Sequence, residues 1–238
     1  MSTASIQAII FDLDGVIVST DELHYTAWKS LAEQEGIYFD REINKRLRGV
    51  SRMESLEILL ERSRKRYTVD EKLEMANRKN SVYVSLLGGL SPGDVTAENR
   101  EALLLLRKKY KLAIGSSSKN AKLILKAIGL QDFFDCIADG TDIKRSKPDP
   151  EVFLAAANKL GIAALYCAVV EDARAGIDAA RAAGMTAIAT GDAYGYEKAD
   201  RSVHSLYELT ACFTADSGYR PTAANFCGSA GNGSVSAS

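Results

Sequence analysis

The chain has 238 residues, 46% of them apolar and 26% charged, and its 30 Lys and Arg side chains nearly balance 31 Asp and Glu, so the formal net charge is −1. A chain of this length can form one domain or two unequal ones and can bury a hydrophobic core. The balanced charge argues against a protein whose function depends on nucleic acid or on an anionic membrane surface.

The four cysteines are far apart in the chain and form no CxxC pair; they are Cys136, Cys167, Cys212 and Cys227. Such spacing predicts reduced thiols and argues against a zinc site. The first residues, MSTASIQ, lack the basic segment and long apolar region of a signal peptide, and no apolar run reaches the roughly 18 residues of a membrane span. We therefore expect a cytoplasmic protein.

The first apolar run, Ala8–Phe11, is followed by Asp12, Asp14 and Gly15. A short run of this kind predicts a buried strand, and in open α/β sheets ligands bind at the carboxyl ends of the strands. The two acids are therefore candidates for a functional site. The alternative is that they only cap a turn, since Asp and Gly are common turn residues.

The segment over 20–90 predicts helices and no strand. Helix starts are indicated by three residue pairs with the spacing of a capping box, namely Ser19/Glu22, Ser51/Glu54 and Thr68/Glu71. Apolar residues at helical spacing follow each pair, and Gly36 is expected to end the first helix. We predict a helical insert that returns to the rest of the chain through the turn residues at 88–93.

Helix and strand signals alternate beyond the insert. Strands are predicted over 111–115, 135–138, 167–170 and 185–189, and helices over 98–109, 119–128, 173–183 and from Asp149-Pro150 onward. This order predicts a parallel sheet with helices on its faces, with the insert placed just after the first strand. The last stretch is rich in Gly, Ser and Ala, and we expect 216–238 to be a flexible tail.

Polar groups follow three more of these strands. The segment 116–120 lies at a helix start, where hydroxyls and free backbone N–H groups favour anion binding; the alternative is a serine-rich helix cap. Lys147 stands before a proline in an extended loop, and Glu171 and Asp172 directly precede a helix. Taken singly, Lys147 could be a solvated surface lysine and Asp172 an N-cap.

The carboxylates of Asp12, Asp14, Glu171 and Asp172 are expected to meet, because the carboxyl ends of parallel strands lie side by side. Oxygen ligands without His or Cys match the preference of Mg²⁺. Lys147 and the segment at 116–120 supply donors for a phosphate. The combination favours phosphoryl transfer through an aspartate that becomes phosphorylated.

Together these motifs resemble those of the haloacid dehalogenase superfamily: DLDG at 12–15, Ser116 after a strand, Lys147 in SKPDP, and Glu171-Asp172. The resemblance covers the chain to about residue 210. It implies an α/β fold with a Rossmann-like parallel-sheet core over 1–19 and 91–215 and a helical cap domain over 20–90.

Within the superfamily, the insert closely resembles the cap of the β-phosphoglucomutase family. The matching residues are His24, Trp28, the run 48–52, Ser55 and the run 78–80. This likeness implies an intramolecular phosphotransferase with Mg²⁺ as its cofactor. Such an enzyme interconverts β-glucose 1-phosphate and glucose 6-phosphate through β-glucose 1,6-bisphosphate.

The resemblance also implies a role for each matched position, with Asp12 as the nucleophile, Asp14 as the general acid and base, and Thr20 at a hinge. The expected catalytic set is Asp12, Asp14, Thr20, His24, Ser116 and Lys147. The expected metal ligands are Asp12, the backbone carbonyl of Asp14, Glu171 and Asp172. The expected substrate contacts are Trp28, Gly49, Val50, Ser51, Arg52, Ser55, Lys79, Ser117, Ser118, Lys119 and Asn120. Among them, Arg52, Ser118, Lys119 and Asn120 are expected to hold the phosphate that is not being transferred.

Arg48 is one departure from the family enzyme that the chain resembles, which carries Lys at this position; the charge is kept but the donor geometry differs. Two other hypotheses stay open, a sugar-phosphate phosphatase with the same core and a non-catalytic sugar-phosphate-binding protein. We expect sugar phosphates as the partners, without nucleic acid or membrane, and a monomer. The cap is expected to move on hinges at 18–21 and 88–93.

Overall fold

The computed structural model describes residues 5–214 of the chain. They form six strands: β1 (Ala8–Phe11), β2 (Lys111–Gly115), β3 (Cys136–Ala138), β4 (Cys167–Glu171), β5 (Thr186–Ala189) and β6 (Arg201–Ser202). These strands make one sheet in the order β3-β2-β1-β4-β5-β6, and every neighbouring pair is parallel. The α/β fold with a parallel sheet is therefore confirmed.

Nine α-helices accompany the sheet in the described range: α1 (Asp21–Glu35), α2 (Arg41–Lys45), α3 (Arg52–Leu60), α4 (Val69–Leu87), α5 (Ala97–Arg107), α6 (Ala121–Ala127), α7 (Glu151–Leu160), α8 (Arg174–Ala182) and α9 (Leu206–Thr214). Short 3₁₀ turns lie at Pro92–Asp94, Ala164–Tyr166 and Gly191–Ala193. No helix in this part of the chain is long and apolar enough to cross a membrane.

Strand β1 lies inside the sheet, between β2 and β4, and this position places Asp12 and Asp14, which follow the strand. Phe11 pairs with Ile114 of β2 on one side and with Val170 of β4 on the other. All four residues of β1 are fully buried, because helices cover both faces of the sheet. The residues that follow β1, β2 and β4 therefore emerge together at one edge of the sheet.

Helices α1 to α4 form a separate layer, which we call the cap; the remaining described residues are the core. The cap has its own buried cluster, which includes Trp28, Leu31, Leu56 and Met75. The predicted capping boxes Ser51/Glu54 and Thr68/Glu71 are both present at the starts of α3 and α4. Since each box is a contact between residues three apart, local sequence was enough to predict it.

The predicted capping box at Ser19/Glu22 is wrong. Helix α1 has Thr20 at its N-cap and no side-chain capping bond. The Thr20 hydroxyl and N–H both donate to the Asp14 carboxylate, and Glu22 instead pairs with Arg41. Gly36 ends α1 in a left-handed conformation, as predicted.

The remaining differences are at the ends of elements. Helix α7 begins one residue later than expected, with Pro150 at its N-cap, and α8 has Ala173 rather than Asp172 at its N-cap. Strand β6 and helix α9 were not predicted; in the case of β6, two residues are too few to show a periodicity. The predicted tail at 216–238 and Cys227 lie outside the described residues.

Candidate active site

A cavity of about 650 Å³ opens between the cap and the carboxyl ends of the strands. Every residue predicted for the site lines this cavity except Thr20, which is buried beside it. The lining residues from the core are Asp12, Asp14, Ser116, Ser117, Ser118, Lys119, Asn120, Lys147, Glu171 and Asp172. Those from the cap are His24, Trp28, Gly49, Val50, Ser51, Arg52, Ser55 and Lys79.

At the floor of the cavity, the Lys147 ammonium joins two carboxylates. Its Nζ lies 2.5 Å from Oδ1 of Asp12 and 2.5 Å from Oε1 of Glu171. Lys147 is only 1% exposed, so this lysine is not a solvated surface residue. Burial by itself lowers the pKa of the ammonium, but the two carboxylates outweigh burial and raise it. Lys147 therefore stays charged and holds Asp12 in place.

Asp172 completes a cluster of acids with Asp12 and Glu171. One oxygen from each of the three carboxylates lies within 4.8 Å of the others. Burial and the charges of Glu171, Asp12 and Asp14 raise the pKa of Asp172 to about 8. These three carboxylates repel one another, and the cluster contains no His or Cys. Such a set of oxygen ligands fits a hard cation such as Mg²⁺.

Two glycines make room for these carboxylates. A Cβ on Gly176 in α8 would lie 2.0 Å from Oε1 of Glu171, and a Cβ on Gly15 would lie 2.0 Å from Oδ2 of Asp172. Gly15 also has a φ of +86°, which side chains rarely adopt. Both positions therefore require glycine if the acids are to stay where they are.

The Asp14 carboxylate is held from the start of the cap. Oδ1 accepts from the Thr20 N–H at 2.7 Å, and Oδ2 accepts from the Thr20 hydroxyl at 2.6 Å. Burial raises the pKa of Asp14 to about 6, although the bonds from Thr20 oppose the rise. Asp14 thus has the protonation range expected of a group that exchanges a proton near neutral pH.

Helix α1 brings His24 over Asp14, and α4 brings Lys79 to His24. His24 Nε2 lies 3.6 Å from Oδ2 of Asp14, and His24 Nδ1 lies 2.9 Å from Nζ of Lys79. Burial, together with the charges of Lys79 and Arg52, lowers the pKa of His24 well below its usual value. The imidazole is therefore neutral.

The loop after β2 presents hydroxyls to the same space. Ser116 Oγ accepts from the Ser118 N–H at 3.2 Å, and Ser118 Oγ accepts from the Asn120 N–H at 3.1 Å. Neither hydroxyl proton is therefore used in these two hydrogen bonds. The Ser117 hydroxyl is buried without a hydrogen-bond partner among residues 5–214. A buried hydroxyl without a partner costs free energy, which an oxygen-rich ligand would recover.

Cationic groups of the cap face the loop from the other side. Arg52 begins α3 and lines the cavity, but it makes no ion pair with a carboxylate in the described part of the chain. Its environment lowers the pKa of the guanidinium through burial. Nearby, the Asn120 side chain donates to the Asn80 side chain at 2.9 Å and connects core to cap.

Arg48 makes a second connection between cap and core. Nε and Nη2 of Arg48 donate to Asp21 in the cap at 3.2 and 2.6 Å, and Nη1 donates to Asp192 in the core. The guanidinium of Arg48 is therefore hydrogen-bonded to two carboxylates of the protein at the mouth of the cavity. Beside it, a Cβ on Gly49 would lie 3.2 Å from the Cβ of Ala173, again across the two layers.

Two residues of the site were missed in the sequence. Asp192 follows β5 and had no motif around it. Tyr83 is fully buried on α4 and contacts both Thr20 and His24. It stands four residues after Lys79, on the same helix face, and this spacing is the signal that could have found it.

Residues 6–184 match the haloacid dehalogenase-like hydrolase family. A β-phosphoglucomutase of Bacillus subtilis is 43% identical over 207 residues, which cover 86% of this chain and 92% of that protein. A phosphorylated-carbohydrate phosphatase of Thermotoga maritima is 32% identical over 213 residues, covering 88% and 91% of the two chains. The crystal structure of a β-phosphoglucomutase from Clostridium difficile superposes with a TM-score of 0.81 at 41% identity and covers 86% of this chain and 93% of its own.

Proposed function

The chain belongs to the haloacid dehalogenase-like hydrolase family, and we propose that it is a β-phosphoglucomutase that interconverts β-glucose 1-phosphate and glucose 6-phosphate. The proposal agrees with the similarity to β-phosphoglucomutases over most of the chain. The proposed substrates are these two sugar phosphates and β-glucose 1,6-bisphosphate. We further propose that the protein is a monomer located in the cytoplasm.

The observation that carries the proposal is a second cationic position in the cavity, away from the nucleophile. Lys147 lies beside Asp12 at the floor, whereas Arg52 enters from the cap without a carboxylate partner in the described range. A hydrolase needs to bind only the phosphoryl group that it removes. A mutase must hold a bisphosphate in two orientations and therefore needs donors for a second phosphate.

In the proposed reaction, phosphorylated Asp12 transfers its phosphoryl group to the 6-hydroxyl of β-glucose 1-phosphate, and Asp14 accepts the proton of that hydroxyl. The bisphosphate then turns round in the cavity. An oxygen of Asp12 bonds to the phosphorus at C1 as the bond from that phosphorus to the C1 oxygen breaks, and Asp14 returns the proton to the C1 oxygen. Glucose 6-phosphate leaves, and the phosphoenzyme is regenerated.

We propose that Asp12, the Asp14 backbone carbonyl, Glu171 and Asp172 hold Mg²⁺. The three carboxylates and their oxygen-only chemistry support this assignment. When bound, Mg²⁺ would neutralise part of the charge that these acids and a phosphoryl group bring together. Ser116 and Lys147 are proposed to bind the transferring group, and Ser118, Lys119 and Asn120 to help Arg52 bind the other phosphate. Trp28, Gly49, Val50, Ser51, Ser55 and Lys79 are proposed to face the sugar from the cap.

The test is a product analysis with β-glucose 1-phosphate, Mg²⁺ and a trace of β-glucose 1,6-bisphosphate. Formation of glucose 6-phosphate and release of free phosphate are followed in parallel, with Asp12→Asn as the inactive control. The proposal expects isomerisation to be the faster process. Phosphate release that outpaces isomerisation would make the protein a sugar-phosphate phosphatase, the second candidate, which the similarity to the Thermotoga enzyme favours.

A further inference from the structure

Tyr83 occupies a position between the two connections of cap and core. It lies near the end of α4, which leads into the return connection, and its side chain reaches Thr20, where the chain first enters the cap. Tyr83 is fully buried, and neither Tyr83 nor Thr20 lines the cavity. Any effect of Tyr83 on the reaction must therefore pass through other residues.

The hydroxyl of Tyr83 has a defined direction of donation. Its oxygen lies 2.8 Å from Oγ1 of Thr20. A threonine hydroxyl carries one proton, and Thr20 gives that proton to Oδ2 of Asp14 at 2.6 Å. An ionised carboxylate can only accept, so Thr20 Oγ1 must accept from Tyr83. The hydrogen bonds run from Tyr83 to Thr20 to Asp14, and each polarises the next.

The ring of Tyr83 supports the other neighbour of Asp14. Its centroid lies 4.1 Å from that of the His24 imidazole at an interplanar angle of 34°. Lys79 Nζ lies 4.6 Å from the same ring and also contacts His24. His24 in turn reaches Asp14 with Nε2. Tyr83 thus approaches Asp14 by two routes, through its hydroxyl and through its ring.

We propose that Tyr83 is a positioning residue that sets the orientation of the Asp14 carboxylate through Thr20. The inference rests on the proposed function, because Asp14 is the acid–base group of that reaction. Phosphate binding uses other residues of the cavity. Loss of the Tyr83 hydroxyl should therefore slow turnover without weakening substrate binding.

The experiment compares Tyr83→Phe, Thr20→Val and the double variant. Tyr83→Phe keeps the ring and its volume and removes one hydrogen bond, so kcat is expected to fall roughly three- to tenfold while KM stays within about twofold. Because the hydroxyl acts through Thr20, the double variant should be about as slow as Thr20→Val alone. Tyr110→Phe is the matched control, since the Tyr110 hydroxyl also makes one hydrogen bond, to the Phe213 carbonyl, far from Asp14.

A purely structural role would give a different pattern. In that case the two single effects would multiply in the double variant, or Tyr83→Phe would behave as Tyr110→Phe does, and either result overturns the inference. The wild type is assayed first for glucose 6-phosphate and free phosphate. If only phosphate is released, the mutase proposal fails, while the same set of variants measured by phosphate release still decides the role of Tyr83, because Asp14 faces the same nucleophile.

Discussion

Lys79 Nζ lies 2.9 Å from Nδ1 of His24, and this contact fixes the tautomer of the imidazole. Below its pKa of about 7, Lys79 is an ammonium that can only donate hydrogen bonds, so Nδ1 accepts and the ring proton is on Nε2. Nε2 is the atom that faces Asp14. The cap therefore offers an N–H donor to the proposed acid–base group, and it does so through a buried lysine that contacts no carboxylate among residues 5–214.

The buried Lys79 makes stability depend on pH. Burial, with repulsion from Arg52, lowers the pKa of Lys79 to about 7, whereas an unfolded chain keeps this proton up to about pH 10. The unfolded state binds more protons between these values, so this group makes the free energy of unfolding rise with pH across that window and leaves it constant below. Relative to Lys79→Met, the wild type should gain roughly 1 kcal/mol per pH unit above about pH 7.

Urea titrations of both proteins from about pH 6 to about pH 10 measure this difference. Comparison with Lys79→Met removes the contributions of other groups that both proteins share. Exposed Lys111, substituted in the same way, is the matched control for the loss of a lysine. A difference between wild type and Lys79→Met that does not change with pH would refute the assignment.

Substitution of Arg52 by Ala should reduce kcat/KM roughly ten- to a hundredfold on β-glucose 1-phosphate, because charge-assisted hydrogen bonds contribute about 1.5 to 3 kcal/mol each. Arg52 makes no ion pair within residues 5–214, so its removal leaves no buried carboxylate without a partner. Stability should change little. Arg62→Ala, on the exposed side of the cap, serves as the control. An unchanged rate would place the second phosphate elsewhere.

Binding of Mg²⁺ should release close to one proton at neutral pH. Burial and neighbouring acids raise the pKa of Asp172 to about 8, and a metal ion binds only the deprotonated carboxylate. Below about pH 8 the apparent affinity should therefore fall by up to tenfold per pH unit. Calorimetry in buffers with different ionisation enthalpies measures the released proton. Asp172→Asn must lose the release, and equal heats in all buffers for the wild type would contradict the prediction.

The bridge between Arg48 and Asp192 should favour closure of the cap without locking it. The Arg48 side chain is 33% exposed and that of Asp192 67%, and exposed ion pairs contribute about 0.2 to 1 kcal/mol. Asp192→Asn should thus raise KM by roughly five-fold at most, and the effect should vanish near 1 M salt, where charges are screened. Glu197→Gln, in the same loop, tests for a general charge effect. An effect of Asp192→Asn that persists in high salt would argue for a different role.

Contacts between near neighbours in the chain could be predicted, whereas contacts between distant residues could not. Ser51 and Glu54 form their capping box through contacts between residues three apart in the chain. Ser19 and Glu22 have the same spacing, but α1 begins with Thr20 at its N-cap, and Asp14 accepts both hydrogen bonds that Thr20 donates. The spacing of four residues from Lys79 could have placed Tyr83 on the same face of α4, but its contacts with Thr20 and His24 depend on how α4 packs against α1.

The core motifs could be placed because each follows a strand, and parallel strands bring their carboxyl ends together. The contacts that the residues of these motifs make with one another were harder to predict from the sequence. Lys147 was expected to hold a phosphate, yet it also joins Asp12 to Glu171, and Arg48 was noted only as an exchange of one cation for another. In both cases the partner lies far away in the sequence, and only the folded chain shows that the charge is already paired.

The central position of β1 has a consequence for the order of folding. Ala8 pairs with Lys111 of β2 on one side and with Cys167 of β4 on the other. Strand β1 is synthesised first, so its hydrogen bonds can be completed only after β2 and β4 have been synthesised. The cap, by contrast, has its own cluster of apolar residues within one continuous stretch of chain. During synthesis the cap can therefore collapse while Asp12 is still without Lys147. A chain released before β4 would carry the proposed nucleophile but neither Glu171 nor Asp172, and the proposed site would be incomplete.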